Sequence, residues 1–232
     1  MTPERYQRLK QILALRQPDL TVLLEGVTKP HNLAAIMRSC DAVGVLEVNA
    51  VAERGALKRR PKAAAGSRRW IKTRLHGSVE QAFGALRRSG QRLVVAHPTP
   101  DSVPYTDYDY TQPSAIVFGT ELHGLSDYSV AQADAAIHIP MLGMGESLNV
   151  SVSAALILYE AKCQRQRAGM YRDCRLDRDR YTQTLFEWAW PQVAHYCRAR
   201  RLPYPAFDPE TGDILDTIPG SASAPWGLHA DA

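Results

Sequence analysis

The sequence predicts an α/β fold: a mostly parallel sheet with helices on both faces, with helical extensions at the N- and C-termini. Three observations carry this. Short apolar runs alternate with stretches of three-and-four apolar spacing, the pattern of strands joined by crossover helices. No internal repeat interrupts that alternation. The character changes after Cys163, where a run rich in arginine precedes a second helical stretch. A length of 232 residues suits one substantial domain with extensions.

The elements follow in order. Thr2 to Leu15 carries Tyr6, Leu9, Ile12, Leu13 and Leu15 on one helical face, with Arg5, Arg8, Lys10 and Arg16 among its polar positions. Pro18-Asp19 stops it, and Leu20 to Leu24 reads as a strand. Lys29-Pro30-His31-Asn32 breaks the chain. Asn32 is a good N-cap for a half-buried helix bearing Leu33, Ile36, Met37 and Cys40, which Gly44 ends. Val45 to Val51 is the second strand. Val79 to Arg88 is helical and closed by Gly90. Leu93 to Ala96, Ala115 to Phe118 and Ala136 to Ile139 read as further strands, and Ser126 to Ala133 as a helix. Asn149 to Gln166 is strongly helical, and Tyr181 to Arg201 is a helix interrupted by Pro191. From Pro203 the chain reads as an extended arm that frays at its end.

Composition removes several classes. Hydrophobic residues make up 45% and charged residues 22%, and the net charge of +4 excludes a histone-like polycation. No apolar run approaches the roughly 18 residues that cross a bilayer. Met1-Thr2-Pro3-Glu4-Arg5 opens no secretory signal. Cys40, Cys163, Cys174 and Cys197 form no C-x-x-C pair, so no zinc site is expected, and scattered cysteines suit the reducing cytoplasm. The seven histidines show no ligand spacing, and no metal is expected.

Familiar nucleotide signatures are missing. There is no Walker loop, and Gly143-Met144-Gly145 lacks the third glycine of a dinucleotide fingerprint. Three segments are more informative. The first runs from His31 to Arg38, where spacing alone leaves Asn32 as a cap and Arg38 as a solvated arginine. In the second, a strand ends in Phe118-Gly119-Thr120-Glu121, and ligands of open α/β sheets bind at such carboxyl ends. In the third, Ile139 to Ala154, a strand, a glycine-containing loop and a long helix follow in succession, with Ser147 or Asn149 as the cap.

In this order the three segments resemble the trefoil-knotted SPOUT class of S-adenosylmethionine-dependent RNA 2'-O-methyltransferases. Asn32 and Arg38 match its first motif, Gly119-Thr120-Glu121 its second, and Ser147-Leu148-Asn149 its third. Arg16 to Val22, Ala168 to Tyr171 and Leu202 to Pro205 are similar to the subfamily acting on guanosine 18 of the tRNA D-loop. The resemblance implies a C-terminal deep trefoil knot, an exception to the rule against threading. It implies S-adenosylmethionine bound in a pocket of Ala96, His97, Gly119, Ile139, Met141, Gly143 and Leu148. It also implies a homodimer completing each site at its interface, tRNA as the partner, and no membrane or metal. The expected organisation is an N-terminal extension over 1–19, a catalytic domain over 20–168 and a basic C-terminal extension over 169–232.

In such a reaction a weakly nucleophilic hydroxyl must lose its proton, and positioning supplies much of the rate. Arg38, Asn32, Glu121, Ser147 and Asn149 are the expected catalytic residues. A guanidinium keeps its proton. Arg38 is therefore either strongly perturbed and acts as the base, or, as preferred here, clamps a phosphate while phosphate or water takes the proton. Asn32 would orient Arg38 or contact RNA, and Glu121 would support the site.

RNA needs a positive surface, and more than half of the 28 Lys and Arg residues fall between Arg54 and Arg74 or between Lys162 and Arg180. With the N-terminal helix these runs nominate Arg5, Arg8, His31, Arg59, Arg60, Arg68, Arg165, Arg167, Arg172 and Arg175 as RNA contacts. Trp70 stacks on a base or joins the core. Two alternatives remain: a ribosomal-RNA methyltransferase of the same fold and a non-catalytic RNA-binding protein on this scaffold. The first is disfavoured because only about 19 residues precede the first strand, too few for a separate RNA-binding domain.

Overall fold

Leu20 to Leu24 are all buried, as a strand covered on both faces must be. They belong to β1 (Leu20–Glu25). The computed structural model describes residues 1–51, 70–120 and 123–216. The other strands are β2 (Glu47–Val51), β3 (Lys72–His76), β4 (Arg92–Ala96), β5 (Val103–Pro104), β6 (Ser114–Phe118) and β7 (Ala135–His138). They form one sheet in the order β3-β2-β1-β6-β4-β7-β5, and every pairing is parallel. Two late strands fill interior places: β6 lies between β1 and β4, and β7 between β4 and β5.

Alternate side chains along each strand feed two cores. Val22, Leu24, Val94, Ile116 and Phe118 pack with Ile36, Met37 and Cys40 of α2 (Pro30–Ala42) and with Ala154, Ile157 and Leu158 of α5 (Val150–Arg167). Leu23, Leu93, Val95, Ala115 and Val117 pack on the opposite face with Ala82, Phe83 and Leu86 of α3 (Val79–Arg88). The α/β architecture with helices on both faces is as the sequence predicts.

The differences have physical causes. β3 is not among the expected strands, because Lys72 to Leu75 are exposed and no apolar run marks it. As an edge strand it needs only its ladder to β2, and a buried polar chain reinforces it. His76 Nε2 meets Asn49 Oδ1 at 2.8 Å, Asn49 Nδ2 donates to Thr21 Oγ1 at 3.1 Å, and Thr21 Oγ1 donates to the Glu47 carbonyl at 2.6 Å. Burial, aided by Arg74, holds His76 below its ordinary pKa. β5 escapes a sequence reading because it is two residues long and contains a proline. Asn32 does not cap α2. Lys29 occupies the cap, and Pro30, whose fixed φ suits a first helical position, starts the helix. Asn32 is thereby drawn inside the first turn and buried, 2% exposed. The helix expected over Ser126 to Ala133 is shorter, α4 (Asp127–Ala131), with Ser126 as its cap.

The chain divides into two compact units. One is Arg16–Asp173, which holds the sheet. The other joins Met1–Leu15 to the chain from Cys174 onward. In the latter, α1 (Pro3–Ala14) buries Tyr6, Leu9 and Leu13. The Tyr6 hydroxyl donates to the Pro209 carbonyl at 3.0 Å, and Lys10 pairs with Glu210 at 2.7 Å. The interrupted helix of the sequence is α6 (Arg178–Ala189) and α7 (Pro191–Arg200), and Phe186 collects Tyr204 and Phe207 around it.

Two arginines belong to the interior. Arg165, expected to contact RNA, is fully buried. Its Nη1 pairs with Asp19 at 2.6 Å and donates to Gln17 Oε1 at 3.1 Å. Its Nε donates to the Tyr110 carbonyl at 2.8 Å, and its Nη2 to the Gln112 carbonyl at 3.2 Å. No donor of such a group is left to meet a phosphate from solvent. Arg16 is also buried, pairing with Asp41 at 2.5 Å and donating to the Val45 carbonyl at 2.9 Å. Removing one partner of a buried ion pair leaves the other charge uncompensated. Arg165→Ala is therefore expected to lower the unfolding free energy by about 3–5 kcal/mol in a urea titration. An unchanged midpoint with weaker RNA binding would restore the RNA-contact assignment.

Candidate functional site

The three motif segments lie beside the carboxyl ends of the central strands in the Arg16–Asp173 unit. The first is reached from β1 through Gly26, whose φ of +69° turns the chain away from the sheet. Six residues beyond Asn32, Arg38 is exposed and makes no hydrogen bond or ion pair among the described residues. Asn32 and Arg38 are therefore not bonded to each other, and Asn32 does not orient the guanidinium directly.

The third segment supplies the partner of Asn32. Asn149 is the N-cap of α5. Its Oδ1 accepts the Ser151 backbone N–H at 2.9 Å and the Ser151 hydroxyl at 2.5 Å. Its Nδ2 donates to Asn32 Oδ1 at 3.2 Å. Two segments 117 residues apart thus meet through one amide pair. Ser151 is not among the residues nominated from the sequence, although a serine two residues after an asparagine cap is the signal that could have found it.

The second segment turns sharply after β6. The Thr120 N–H donates to the Gly124 carbonyl and the Gly124 N–H to the Thr120 carbonyl, both at 2.9 Å. A Cβ at Gly119 would lie 2.1 Å from the Gly124 oxygen and 2.2 Å from its carbon, so only glycine fits. The His97 ring lies beside this turn, about as close as van der Waals contact to a Cβ placed on Gly124. Glu25, at the end of β1, supports the following helix, its carboxylate accepting from the Ser126 N–H at 3.2 Å and the Ser129 hydroxyl at 2.6 Å. Glu121 lies outside the described residues.

Ala96 and Ile139 are half-buried against the core, and Leu148 is half-buried before the cap. Between them the loop is open. Met141 and Ser147 are exposed, and Leu142 and Met144 are fully exposed. A Cβ placed on Gly143 would meet nothing within 4 Å, so nothing within the described chain demands glycine there. Apolar side chains on an open loop are costly in water and invite a cover. Of the expected RNA contacts, Arg5, Arg8, His31, Arg167 and Arg172 are exposed and Arg175 is half-buried. Arg59, Arg60 and Arg68 lie outside the described residues.

No group of His, Cys, Asp or Glu among the described residues is arranged to hold a metal ion. Burial drives the Cys40 thiol well above its ordinary pKa, with Asp41 adding to the effect, so it offers no thiolate. What the site presents is an exposed guanidinium, an oriented amide pair and a glycine-bearing loop. Among the described residues that is equipment for holding reactants.

Residues 19–159 match the model of the SpoU rRNA methylase family, and 163–217 match the SpoU rRNA methylase C-terminal model. The chain belongs to the SpoU rRNA methylase family. Among its relatives is the tRNA (guanosine(18)-2'-O)-methyltransferase of Escherichia coli K12, 44% identical over 97% of this chain and 96% of that one. The A. aeolicus TrmH/SpoU tRNA modifying enzyme superposes with a TM-score of 0.75 at 37% identity, covering 82% of this chain and 97% of that one. An AdoMet-bound rRNA methyltransferase from Sinorhizobium meliloti superposes with a TM-score of 0.55 at 29% identity, covering 68% and 60%.

Within this SpoU methylase the steric argument is testable. Gly119→Ala should destabilise by about 1–3 kcal/mol through overpacking against backbone. Gly143→Ala should leave the urea midpoint unchanged. Equal midpoints for the two variants would contradict the close approach at Gly119.

Proposed function

We propose that this chain transfers a methyl group from S-adenosylmethionine to the ribose 2'-hydroxyl of guanosine 18 in tRNA. One observation carries the choice of substrate. The likeness to the Escherichia coli tRNA enzyme covers 97% of the chain and so includes both units, whereas the likeness to the rRNA enzyme of Sinorhizobium meliloti covers 68%. The AdoMet-bound state of that relative supports the cofactor. The residues here fit it: the Gly119 turn, His97 beside it, and an open apolar loop from Met141 to Met144 suit an adenosine slotted against backbone. When bound, S-adenosylmethionine supplies the methyl on its sulfonium. The cytoplasm, where tRNA is modified, is the proposed location, and no helix among the described residues is long and apolar enough to cross a membrane.

Arg38 acts as a clamp. Its guanidinium is exposed and has no competing partner among the described residues, so it can take a phosphate flanking the target ribose in a two-pronged grip. Held in this way, the 2'-hydroxyl would lose its proton to phosphate or water as its oxygen took the methyl that the sulfonium releases. Asn32 and Asn149 fix the floor beneath this site. The insertion of β6 between β1 and β4, and of β7 between β4 and β5, is the strand order a C-terminal trefoil knot requires, and it supports that part of the reading.

A second copy of the chain is the proposed cover for α5. This helix buries Ala154, Ile157, Leu158 and Ala161 inward, yet Val152, Leu156 and Tyr159 form an exposed stripe at i, i+4 and i+7. A helix apolar on both sides needs a neighbour on both. Tyr105, Ala155, Glu160 and Cys163 join Leu156 and Tyr159 around an open depression on that side.

Three measurements test these proposals. With methyl-labelled cofactor and unmodified tRNA transcript, label should map to the 2'-oxygen of guanosine 18; label on a base or another ribose would refute the substrate. Arg38→Lys should cost about 10- to 100-fold in rate, the worth of a charged hydrogen bond, and Arg38→Ala at least as much. Near-full activity of the lysine variant at neutral pH would refute the clamp. Leu156→Glu should shift the protein from dimer to monomer in sedimentation and reduce activity. A monomeric wild type would refute the proposed partner.

A further inference from the structure

We propose that Ser151 is a positioning residue that locks the polarity of the Asn149–Asn32 amide relay. The relay then presents Asn32 to its surroundings as a hydrogen-bond donor. The inference rests on Asn32 belonging to the methyl-transfer site.

The argument starts from the one group in the chain of bonds whose role is not a choice. The oxygen and nitrogen of an amide side chain are interchangeable in shape, and only their partners distinguish them. The backbone N–H of Ser151 can only donate, so the atom of Asn149 that faces it at 2.9 Å must be the oxygen. The Ser151 hydroxyl, at 2.5 Å from the same oxygen, donates a second bond there. With its oxygen engaged at the helix start, Asn149 turns its NH2 toward Asn32 at 3.2 Å. Asn32 must answer with its oxygen. Its own NH2 is thereby directed away from the cap. The buried Asn32 amide thus turns its donor side outward from the cap, the polarity that matches an acceptor such as a carboxylate or a phosphate oxygen. Its carbonyl oxygen faces Asn149 instead.

Two consequences separate this role from simple helix capping. Asp and Ser cap helices as well as Asn does. Neither can donate an amide N–H across to Asn32. A carboxylate at position 149 would accept both Ser151 donors and then either face the Asn32 oxygen with another acceptor or turn the Asn32 amide over, reversing its polarity. The cap survives such a change, and the relay does not. In addition, the Ser151 hydroxyl adds a second bond to a group that the backbone already orients. Its loss should loosen the relay without reversing it.

The test uses the full-length protein with unmodified tRNA and methyl-labelled cofactor, measuring single-turnover rate, apparent affinities and melting temperature for each variant. Asn149→Asp should melt at or above the wild-type temperature while its methyl-transfer rate falls at least about 50-fold, more than one ordinary hydrogen bond because the Asn32 amide is left opposed or reversed. Asn149→Ser, which also caps, is the second variant should the aspartate not fold, and its rate should fall similarly. Ser151→Ala should lose about 3- to 10-fold in rate with tRNA and cofactor affinities unchanged, and Ser151→Thr should recover it. A folded Asn149→Asp or Asn149→Ser protein transferring methyl within about twofold of wild type, less than one hydrogen bond is worth, would overturn the relay. A Ser151→Ala defect confined to affinity or melting temperature would overturn the positioning role. If Asn32→Ala were fully active, the placement of Asn32 at the transfer site would fail instead, an outcome distinct from the other two.

Discussion

Helix α5 is held at both ends, and the site depends on that. At its C-terminal end the buried guanidinium of Arg165 gathers Asp19, Gln17 and the carbonyls of Tyr110 and Gln112, segments that lead into β1 and β6. At its N-terminal end Asn149 bonds to Asn32. The eighteen residues of the helix form a rod of about 27 Å. One end is locked to the starts of the two central strands, and the other projects to where those strands finish. A buried charge is costly to desolvate, and it is kept only where its partners are complete. Here completeness gives α5 one axial position and so gives Asn149 one address.

The arginines divide between interior and surface. Arg16 and Arg165 spend their donors inside, on Asp41 and Asp19 and on carbonyls. Arg38 spends none among the described residues and faces solvent. The same side chain is thus a structural bolt at two positions and an open hand at another. Burial and the supply of acceptors decide which, not residue type.

Much of the fold is legible in the amino-acid sequence because apolar runs of four or five residues have few other uses. Leu20 to Leu24, Leu93 to Ala96 and Ala115 to Phe118 all form strands within a residue of expectation. β3 is illegible because it is stabilised by pairing and by the His76–Asn49 bond, neither of which leaves an apolar mark. Asn32 reads wrongly as a cap because two rules compete at the start of α2, and the proline wins. Arg165 reads wrongly as a surface residue because a run of basic residues looks solvated until Asp19 is brought to it from 146 positions away. The site residues are legible only as a family pattern. Spacing can nominate Asn32 and Asn149 as local caps, but their meeting is a product of topology.

That topology has a temporal meaning. The strand beside β1 on one side is β6, and the amide partner of Asn32 lies 117 residues downstream. Pairings of such long sequence separation form late and slowly. A ribosome releasing this chain from its N-terminus therefore delivers Asn32 and Arg38 well before Asn149 exists to meet them. The growing polypeptide thus carries both side chains for more than a hundred residues before the amide that fixes one of them has been made.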